Sequence, residues 1–327
     1  MQKIFIALAL ALITLSCAST DKTQVQFILD WKAQMEHAGF FVAKQKGFYE
    51  QEGLEVEILE GSGAPTSARV VGNGTYKLGV ASGSATVMAR ARNIPIVSLA
   101  VINQQTPVVV YSLVEKNITT PADLIGKSIG VNIGGTKHRE FQAFLRHQNI
   151  PEEDIQLMGM SEASPAPLLA GQVDAMLGYT EDQPVTVELQ GHAVNRLALS
   201  DYGIDVYSTN IIANESFLKE NPELVKRFLR ASLRGWQHAV DHPEDAVAAY
   251  MAARPESDEA FNRANFKYLI PLLQSADTQQ QGLGAQTEAK WQQTQDILHS
   301  LDMIDQKVDL NLIFTTAFMP EPVTSNQ

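Results

Sequence analysis

The chain has 327 residues, of which 45% are hydrophobic and 19% charged, and its formal net charge is −12 at pH 7. A chain of this length with an ordinary apolar content usually folds as two lobes with separate cores. The acidic balance argues against nucleic-acid binding, which requires a basic surface, and a single cysteine excludes internal disulfide bonds and cysteine-rich metal sites.

Residues 1–17 have the character of an export signal. A short basic start precedes an apolar run, Ile4–Leu15, which is too short to span a bilayer. The only cysteine, Cys17, ends this segment in a pattern similar to a bacterial lipoprotein cleavage site, although Thr14 replaces the more common leucine. We therefore predict an exported protein, periplasmic or at the cell surface, with a membrane anchor on a lipidated Cys17. Ordinary signal cleavage near Ala18 is the alternative.

Beyond the signal, short apolar runs typical of strands alternate with helical patterns. The strand-like runs are Val25–Leu29, Leu54–Ile58, Lys77–Ala81, Ile96–Ile102, Val108–Leu113, Ser128–Asn132, Ala175–Tyr179 and Val206–Ala213. This rhythm predicts an α/β fold with parallel or mixed sheets flanked by helices. In the last third, helices are predicted to begin at Pro222 and Pro243 and to cover Glu256–Leu273 and Thr287–Leu301.

A short internal repeat indicates two lobes of similar construction. Gly74–Ser82 matches Gly171–Tyr179, since each segment has a glycine, a polar turn and an apolar strand that ends in a polar residue. We therefore expect Ser82 and Tyr179 to lie at equivalent strand ends that face each other across a cleft.

Three blocks of sequence resemble the substrate-binding proteins of ABC importers. They are Asp30–Val56, Pro121–Val131 with the following Gly134-Gly135-Thr136, and Leu168–Ala175. The resemblance extends over nearly the whole chain after the signal. It points to the sulfonate, taurine and nitrate group and, within it, to the branch for pyrimidine precursors of thiamine. It implies a two-lobed periplasmic-binding-protein type II fold, with two mixed sheets flanked by helices and a ligand cleft between the lobes.

The resemblance also implies a domain division and partners. One lobe would comprise residues 24–110 and 212–327, including the C-terminal helices, and the other residues 111–211. The chain would cross between them near Val110–Leu113 and Val206–Ile211. A monomeric protein of this kind delivers a small-molecule ligand to an ABC permease in the membrane, and no cofactor, metal or nucleic acid is expected.

Four clusters of residues at expected strand ends are candidate ligand contacts. They are Asp30, Trp31 and His37; Ser82, Gly83 and Ser84; Gly134, Gly135 and Thr136; and Tyr179 with Glu181. Asn210, near the second crossing, is a further candidate. Because the carboxyl ends of parallel strands present ligand-binding groups, we expect these clusters to converge on the cleft.

Each aromatic or charged candidate also has a purely structural interpretation. Trp31 and Tyr179 can stack on a flat ring or pack in a wall or core. Asp30 and Glu181 can accept hydrogen bonds from a ligand or stabilise a turn or helix start. His37 can donate to a ligand or cap a turn.

The serine and glycine clusters precede expected helices. Their backbone N–H groups can cradle a polar or anionic group, or Ser82 can simply cap its helix. Asn210 can satisfy hinge backbone instead of a ligand. Lys137 and His138, after the second glycine cluster, are expected on a solvated helix face.

A carboxylate in the pocket favours a donor-bearing ligand over sulfonate or nitrate, which need donors from the protein. We therefore predict a binding protein, not an enzyme, for a small heteroaromatic ligand such as a thiamine pyrimidine precursor. The alternatives are a sulfonate, taurine, nitrate or flavin-type ligand, and a sensing module for a separate signalling partner. An enzyme similar to fungal pyrimidine synthases is disfavoured, because that resemblance implies a cysteine-rich iron-binding segment and Cys17 is the sole cysteine.

Overall fold

The computed structural model describes residues 22–161 and 164–320, and the predicted signal with Cys17 lies outside these residues. The strands are β1 Thr23–Ile28, β2 Leu54–Leu59, β3 Leu78–Ser82, β4 Ile96–Val101, β5 Val108–Leu113, β6 Ser128–Val131, β7 Gln156–Gly159, β8 Ala175–Tyr179, β9 Val194–Ala198 and β10 Thr209–Asn214. No helix in the described ranges is long and apolar enough to cross a membrane.

Helices flank these strands and dominate the last third of the chain. The α-helices are α1 Ala38–Gln45, α2 Phe48–Gln51, α3 Ala64–Gly72, α4 Gly83–Ala91, α5 Thr136–His147, α6 Ala166–Leu169, α7 Gln183–Leu189, α8 Glu215–Glu220, α9 Pro222–Asp241, α10 Pro243–Ala253, α11 Glu259–Leu269, α12 Ala276–Gln281, α13 Glu288–Ser300 and α14 Leu310–Ile313. Short 3-10 helices cover Met35–His37, Val114–Lys116, Pro121–Leu124, Glu152–Asp154, Leu199–Tyr202 and Ile270–Leu273. The helix starts at Pro222 and Pro243 are as predicted.

The described strands form two five-stranded sheets, in the orders β2-β1-β3-β10-β4 and β7-β6-β8-β5-β9. In each sheet one antiparallel strand is inserted beside the central strand: β10 pairs with β3 and β4, and β5 pairs with β8 and β9. The two sheets therefore have the same construction. The predicted repeat is confirmed, because β3 and β8 hold the same central place and end at Ser82 and Tyr179.

The chain crosses between the sheets twice. The first crossing is expected at Val110–Leu113, but these residues lie inside β5 and pair with β9. The crossing instead follows β4 and precedes Val108, and the return crossing ends where β10 begins at Thr209. The crossing lies in the polar segment of residues 103–107 between β4 and β5, and β5 itself is buried along its whole length.

Two strands of the second sheet are absent from the sequence prediction, and both lie at its edges. In β7, Gln156, Met158 and Gly159 are exposed, and in β9 only Leu197 is fully buried. An edge strand does not need a continuous apolar run, so hydrophobic periodicity does not identify it.

The position of α1 depends on a close crossing with α9. A Cβ on Gly39 of α1 would lie 2.2 Å from the ring of Trp236, and one on Gly235 of α9 would lie 2.3 Å from the carbonyl oxygen of Gly39. Both glycines thus allow the helix backbones to approach. The loop that carries Trp31 leads directly into α1. The close crossing of α1 and α9 therefore fixes the position of the helix at which this loop ends.

We expect Gly235→Ala to lower the free energy of unfolding by roughly 1–3 kcal/mol, because the added methyl group overpacks the crossing. Urea denaturation measures this change. Gly159→Ala on exposed β7 is the matched control, since its Cβ would meet Ile133 at 3.4 Å, and we expect a change within about 0.5 kcal/mol. Wild-type stability of Gly235→Ala would contradict the close crossing.

Candidate functional site

A cavity of about 630 Å³ lies between the lobes, at the ends of the two central strands. This size is in the range of small-molecule sites. Ser82 at the end of β3 pairs with Thr209, and Tyr179 at the end of β8 pairs with Val108. Each cavity-facing strand end therefore lies beside a segment that crosses between the sheets.

The structure brings seven of the predicted residues together in the cavity wall. They are Asp30, Trp31, Ser82, Ser84, Thr136, Tyr179 and Glu181. Trp31 is 46% exposed, which excludes a place in the core. The Tyr179 ring has the ammonium of Lys137 4.1 Å from its centroid. Ser82 does cap α4, as its Oγ accepts from the N–H of Ala85 at 3.1 Å, and it lines the cavity as well.

The other five predicted residues lie outside the cavity lining. They are His37, Gly83, Gly134, Gly135 and Asn210. Asn210 is fully buried and donates from Nδ2 to the carbonyl oxygen of Ala81 at 2.9 Å, so it satisfies backbone beside the hinge. Gly83 packs against Tyr207, whose carbonyl oxygen would lie 2.3 Å from an added Cβ. Asn210 and Gly83 therefore have structural roles and do not contact the cavity.

The two glycines of the second cluster shape the start of α5. Gly134 has a φ of 80°, which favours glycine, and its N–H donates to Nδ1 of His138 at 3.0 Å. His138 is therefore buried against this loop, and the prediction of a solvated position for it is wrong. Lys137 is half-buried and contacts Tyr179 instead of projecting fully into solvent.

His37 supports Asp30 from behind the cavity. Its Nδ1 accepts the N–H of Gln34 at 3.2 Å, which assigns the proton to Nε2, and Nε2 donates to Oδ1 of Asp30 at 2.9 Å. Ligand atoms of Asp30, Glu36 and His37 lie within 4.8 Å of one another, a spacing that could hold a metal ion. These hydrogen bonds account for both ring nitrogens without a cation.

The cavity contains carboxyl groups whose ionisation is disfavoured. Burial raises the pKa of Glu181 from 4.5 to about 8, and the charges of Glu36 and Asp182 add to the rise. Burial also raises the pKa of Glu36 to about 7, with a further rise from the charge of Asp30, and raises the pKa of Asp182. Glu181 is 5% exposed, whereas Glu36 keeps 25% of its side-chain surface, in keeping with the larger shift at Glu181.

Two buried acceptors in the cavity wall have no hydrogen-bond partner among the described residues. They are Oε2 of Glu181 and Oδ1 of Asn265. The Asn265 amide is oriented by Nδ2, which donates to the backbone carbonyl oxygen of Glu181 at 2.6 Å. A buried unpaired acceptor costs about 1–3 kcal/mol. A ligand that brings donors to this wall would remove that cost.

One face of α11 lines the cavity and was not among the predicted site residues. Its residues are Phe261, Asn262 and Asn265, together with the N-cap residue Asp258. They follow i, i+3, i+4 and i+7 spacing, and asparagines at such positions, where a packed helix normally carries apolar residues, are the signal that could have found this face. Glu140 on α5 and Thr106 in the first crossing also line the cavity without having been predicted.

The same helix connects the C-terminal region to the second lobe. The Tyr268 hydroxyl donates to Oε1 of Glu188 at 3.1 Å, and the Arg196 guanidinium lies 4.1 Å from the centroid of the Tyr268 ring. Arg196 also donates to both carboxylate oxygens of Glu188, at 2.5 and 3.0 Å. We call Tyr268, Glu188 and Arg196 the α11 latch.

We expect the unliganded protein to lose stability as the pH rises from about 5 to about 9. Folded Glu36 and Glu181 hold a proton up to pKa values of about 7 and about 8, whereas in the unfolded chain they ionise near 4.5. The folded state binds more protons in this interval, so rising pH favours unfolding. One pKa unit corresponds to about 1.4 kcal/mol, and urea denaturation across the pH series should show a loss of a few kcal/mol.

Glu181→Gln is the matched control for this pH series, because glutamine stays neutral and should flatten much of the slope. A wild-type stability that is constant across this range would contradict a protonated Glu181 in the folded chain.

Comparisons with known proteins agree with this architecture. A family model described as NMT1/THI5 like matches residues 34–246. The chain is 26% identical to the riboflavin-binding protein RibY of Chloroflexus aurantiacus over 310 residues, which cover 91% of this chain and 86% of the relative. It is 24% identical to the formylaminopyrimidine-binding protein of Halalkalibacterium halodurans over 313 residues, with 93% and 95% covered.

Other similarities bear on chemistry and fold. A relative from Legionella pneumophila, 26% identical with 93% of this chain and 94% of the relative covered, is named 4-amino-5-hydroxymethyl-2-methylpyrimidine phosphate synthase. The periplasmic aliphatic sulphonate binding protein SsuA of Escherichia coli has a TM-score of 0.70 at 18% identity, with 93% and 94% covered. The two-lobed type II fold is thereby confirmed. The matched family model spans well over half of the chain, and the chain belongs to the NMT1/THI5-like family.

Proposed function

We propose that this protein is an extracytoplasmic solute-binding protein that delivers a small, flat heteroaromatic ligand to an ABC importer. The favoured ligand is a thiamine pyrimidine precursor that bears amino groups. The observation that carries this proposal is the unpaired, buried Oε2 of Glu181 in the cavity wall. A ligand donor at this oxygen would favour the ionised carboxylate over the protonated form that burial favours in the unliganded chain. Trp31, half-exposed in the same cavity, supplies a stacking surface for a ring.

The charges of the cavity support a donor-bearing ligand over an anion. Asp30, Glu36, Glu181 and Asp182 all line it, and each of these groups that ionises would repel a sulfonate or nitrate anion. The relative from Halalkalibacterium halodurans named as binding formylaminopyrimidine is consistent with this choice. Because another relative is named as the riboflavin-binding protein RibY, a flavin is the main competing ligand to include in the binding assay.

Ligand transfer would use closure of the two lobes. We assign the sheet of β1–β4 and β10, with the C-terminal helices, to one lobe and the sheet of β5–β9 to the other. The boundaries expected after residues 110 and 211 would cut β5 and β10, so we place the crossings before Val108 and before Thr209, beside the cavity. A hinge at that position couples ligand contact to closure. The permease partner, the monomeric state and a lipid anchor at Cys17 belong to the same proposal.

The proposal includes binding without turnover. Relatives named as synthases make catalysis the principal alternative. The resemblance to the fungal enzymes implies a cysteine-rich iron-binding segment, and this chain has one cysteine, Cys17. Incubation of the protein with each bound compound, followed by mass spectrometry, should return the compound unchanged.

We expect Trp31→Ala and Glu181→Gln each to weaken binding of an aminopyrimidine at least tenfold. Loss of the stacking surface or of a charge-assisted hydrogen bond is worth about 1.5–3 kcal/mol. Isothermal titration calorimetry with aminopyrimidines, riboflavin, taurine, an alkanesulfonate and nitrate measures this on the purified protein.

Trp31→Phe, which keeps a ring, and Glu153→Gln on the exposed surface are the matched controls. Binding of taurine, sulfonate or nitrate alone would overturn the pyrimidine assignment.

We expect Tyr268→Phe to weaken binding of the same compound by roughly two- to tenfold. The lost hydrogen bond to Glu188 is worth about 0.5–1.5 kcal/mol, and it would favour the closed state. Tyr268 lies outside the cavity lining, so direct ligand contact would not explain the effect. Tyr202→Phe is the control, because the Tyr202 hydroxyl makes no hydrogen bond within the described ranges. Unchanged affinity would show that the α11 latch does not favour closure.

A further inference from the structure

Glu140 is a buried carboxyl group in the cavity wall with no role in the proposed function so far. It lies on α5, is 7% exposed and lines the cavity. Thr136, one helical turn earlier, lines the same cavity. Residues four apart share a helix face, so this face of α5 looks into the ligand space.

One carboxyl oxygen of Glu140 accepts a hydrogen bond from the protein and the other does not. Oε2 accepts a hydrogen bond from the hydroxyl of Thr106 at 2.7 Å. Among the described residues, Oε1 has no hydrogen-bond partner and the carboxyl group has no ion pair within 4.0 Å. Burial raises the pKa of Glu140 to about 7, against the Thr106 hydrogen bond and the charge of Lys137. An acceptor site in this wall is thus open to a ligand.

Glu140 and Glu181 belong to different parts of the wall. Glu181 follows β8 and its carbonyl oxygen is held by Asn265 of α11, whereas Glu140 is held by Thr106 of the first crossing. The charges of Glu36 and Asp182 raise the pKa of Glu181 but not that of Glu140, whereas the charge of Lys137 lowers the pKa of both carboxyl groups. A ligand in the cavity therefore meets two acceptor groups that are held independently.

We propose that Glu140 is a second ligand-binding residue, which selects ligands that carry a second hydrogen-bond donor or a cationic amine besides the group facing Glu181. The inference rests on the proposed function and narrows its ligand class to a flat ring that bears two separately placed donor groups. A site built to pair a donor rejects an analogue that lacks it, because its buried acceptor then stays unpaired.

The test compares two compounds: an aminopyrimidine with an aminomethyl substituent, and the same ring with a methyl group there. By titration calorimetry, the wild-type protein should bind the aminomethyl compound roughly ten- to a hundredfold more tightly. Glu140→Gln should lose at least tenfold of that preference while its affinity for the methyl compound stays within about twofold. Glu181→Gln, in contrast, should weaken both compounds alike.

Two further variants keep the test decisive. Thr106→Val removes the hydrogen bond to Oε2 but leaves the carboxyl group, so it should retain the preference. If circular dichroism shows that Glu140→Gln is unfolded, Glu140→Asp, which withdraws the carboxyl group by one methylene, should reduce the preference instead.

The possible failures are distinguishable. A wild-type protein that binds both compounds equally, or a Glu140→Gln protein that keeps the preference, overturns the role of Glu140 and leaves the proposed function standing. A wild-type protein that binds neither pyrimidine overturns the proposed function, and the inference about Glu140 with it.

Discussion

The antiparallel strand that each sheet receives beside its central strand is the constraint on which the site depends. β10 returns to the first sheet and pairs Thr209 with Ser82, and β5 opens the second sheet and pairs Val108 with Tyr179. In both lobes the last residue of the central strand therefore pairs with the first residue after a crossing. The hinge and the cavity are adjacent because this register places the ends of the central strands beside the crossings.

The carboxyl groups of the cavity determine which kind of ligand this geometry favours. Glu36 comes from the first lobe and Glu181 from the second. Burial raises the pKa of both carboxyl groups, and the charge of Glu36 adds to the rise at Glu181. Bringing the lobes together without a ligand therefore concentrates acceptors that lack donors. We propose that ligand donors offset this cost, so that binding and closure are favourable together.

The sequence predicts the central parts of the molecule better than its periphery. The buried strands and the cavity residues Trp31 and Tyr179 follow from apolar runs that end in polar or aromatic residues. Edge strands β7 and β9 lack such runs, and the contributions of Asn265 and Glu140 depend on which helix face meets the cavity. That choice is made by long-range packing, so a short local pattern does not reveal it.

The placement of the three tryptophans has a practical consequence. Trp236 and Trp291 are fully buried, whereas Trp31 is 46% exposed and lines the cavity. The emission of an indole depends on the polarity of its surroundings, so the two buried rings contribute a constant signal and Trp31 a variable one. The protein thereby carries an intrinsic fluorescent reporter of cavity occupancy, and candidate compounds can be screened without any attached dye.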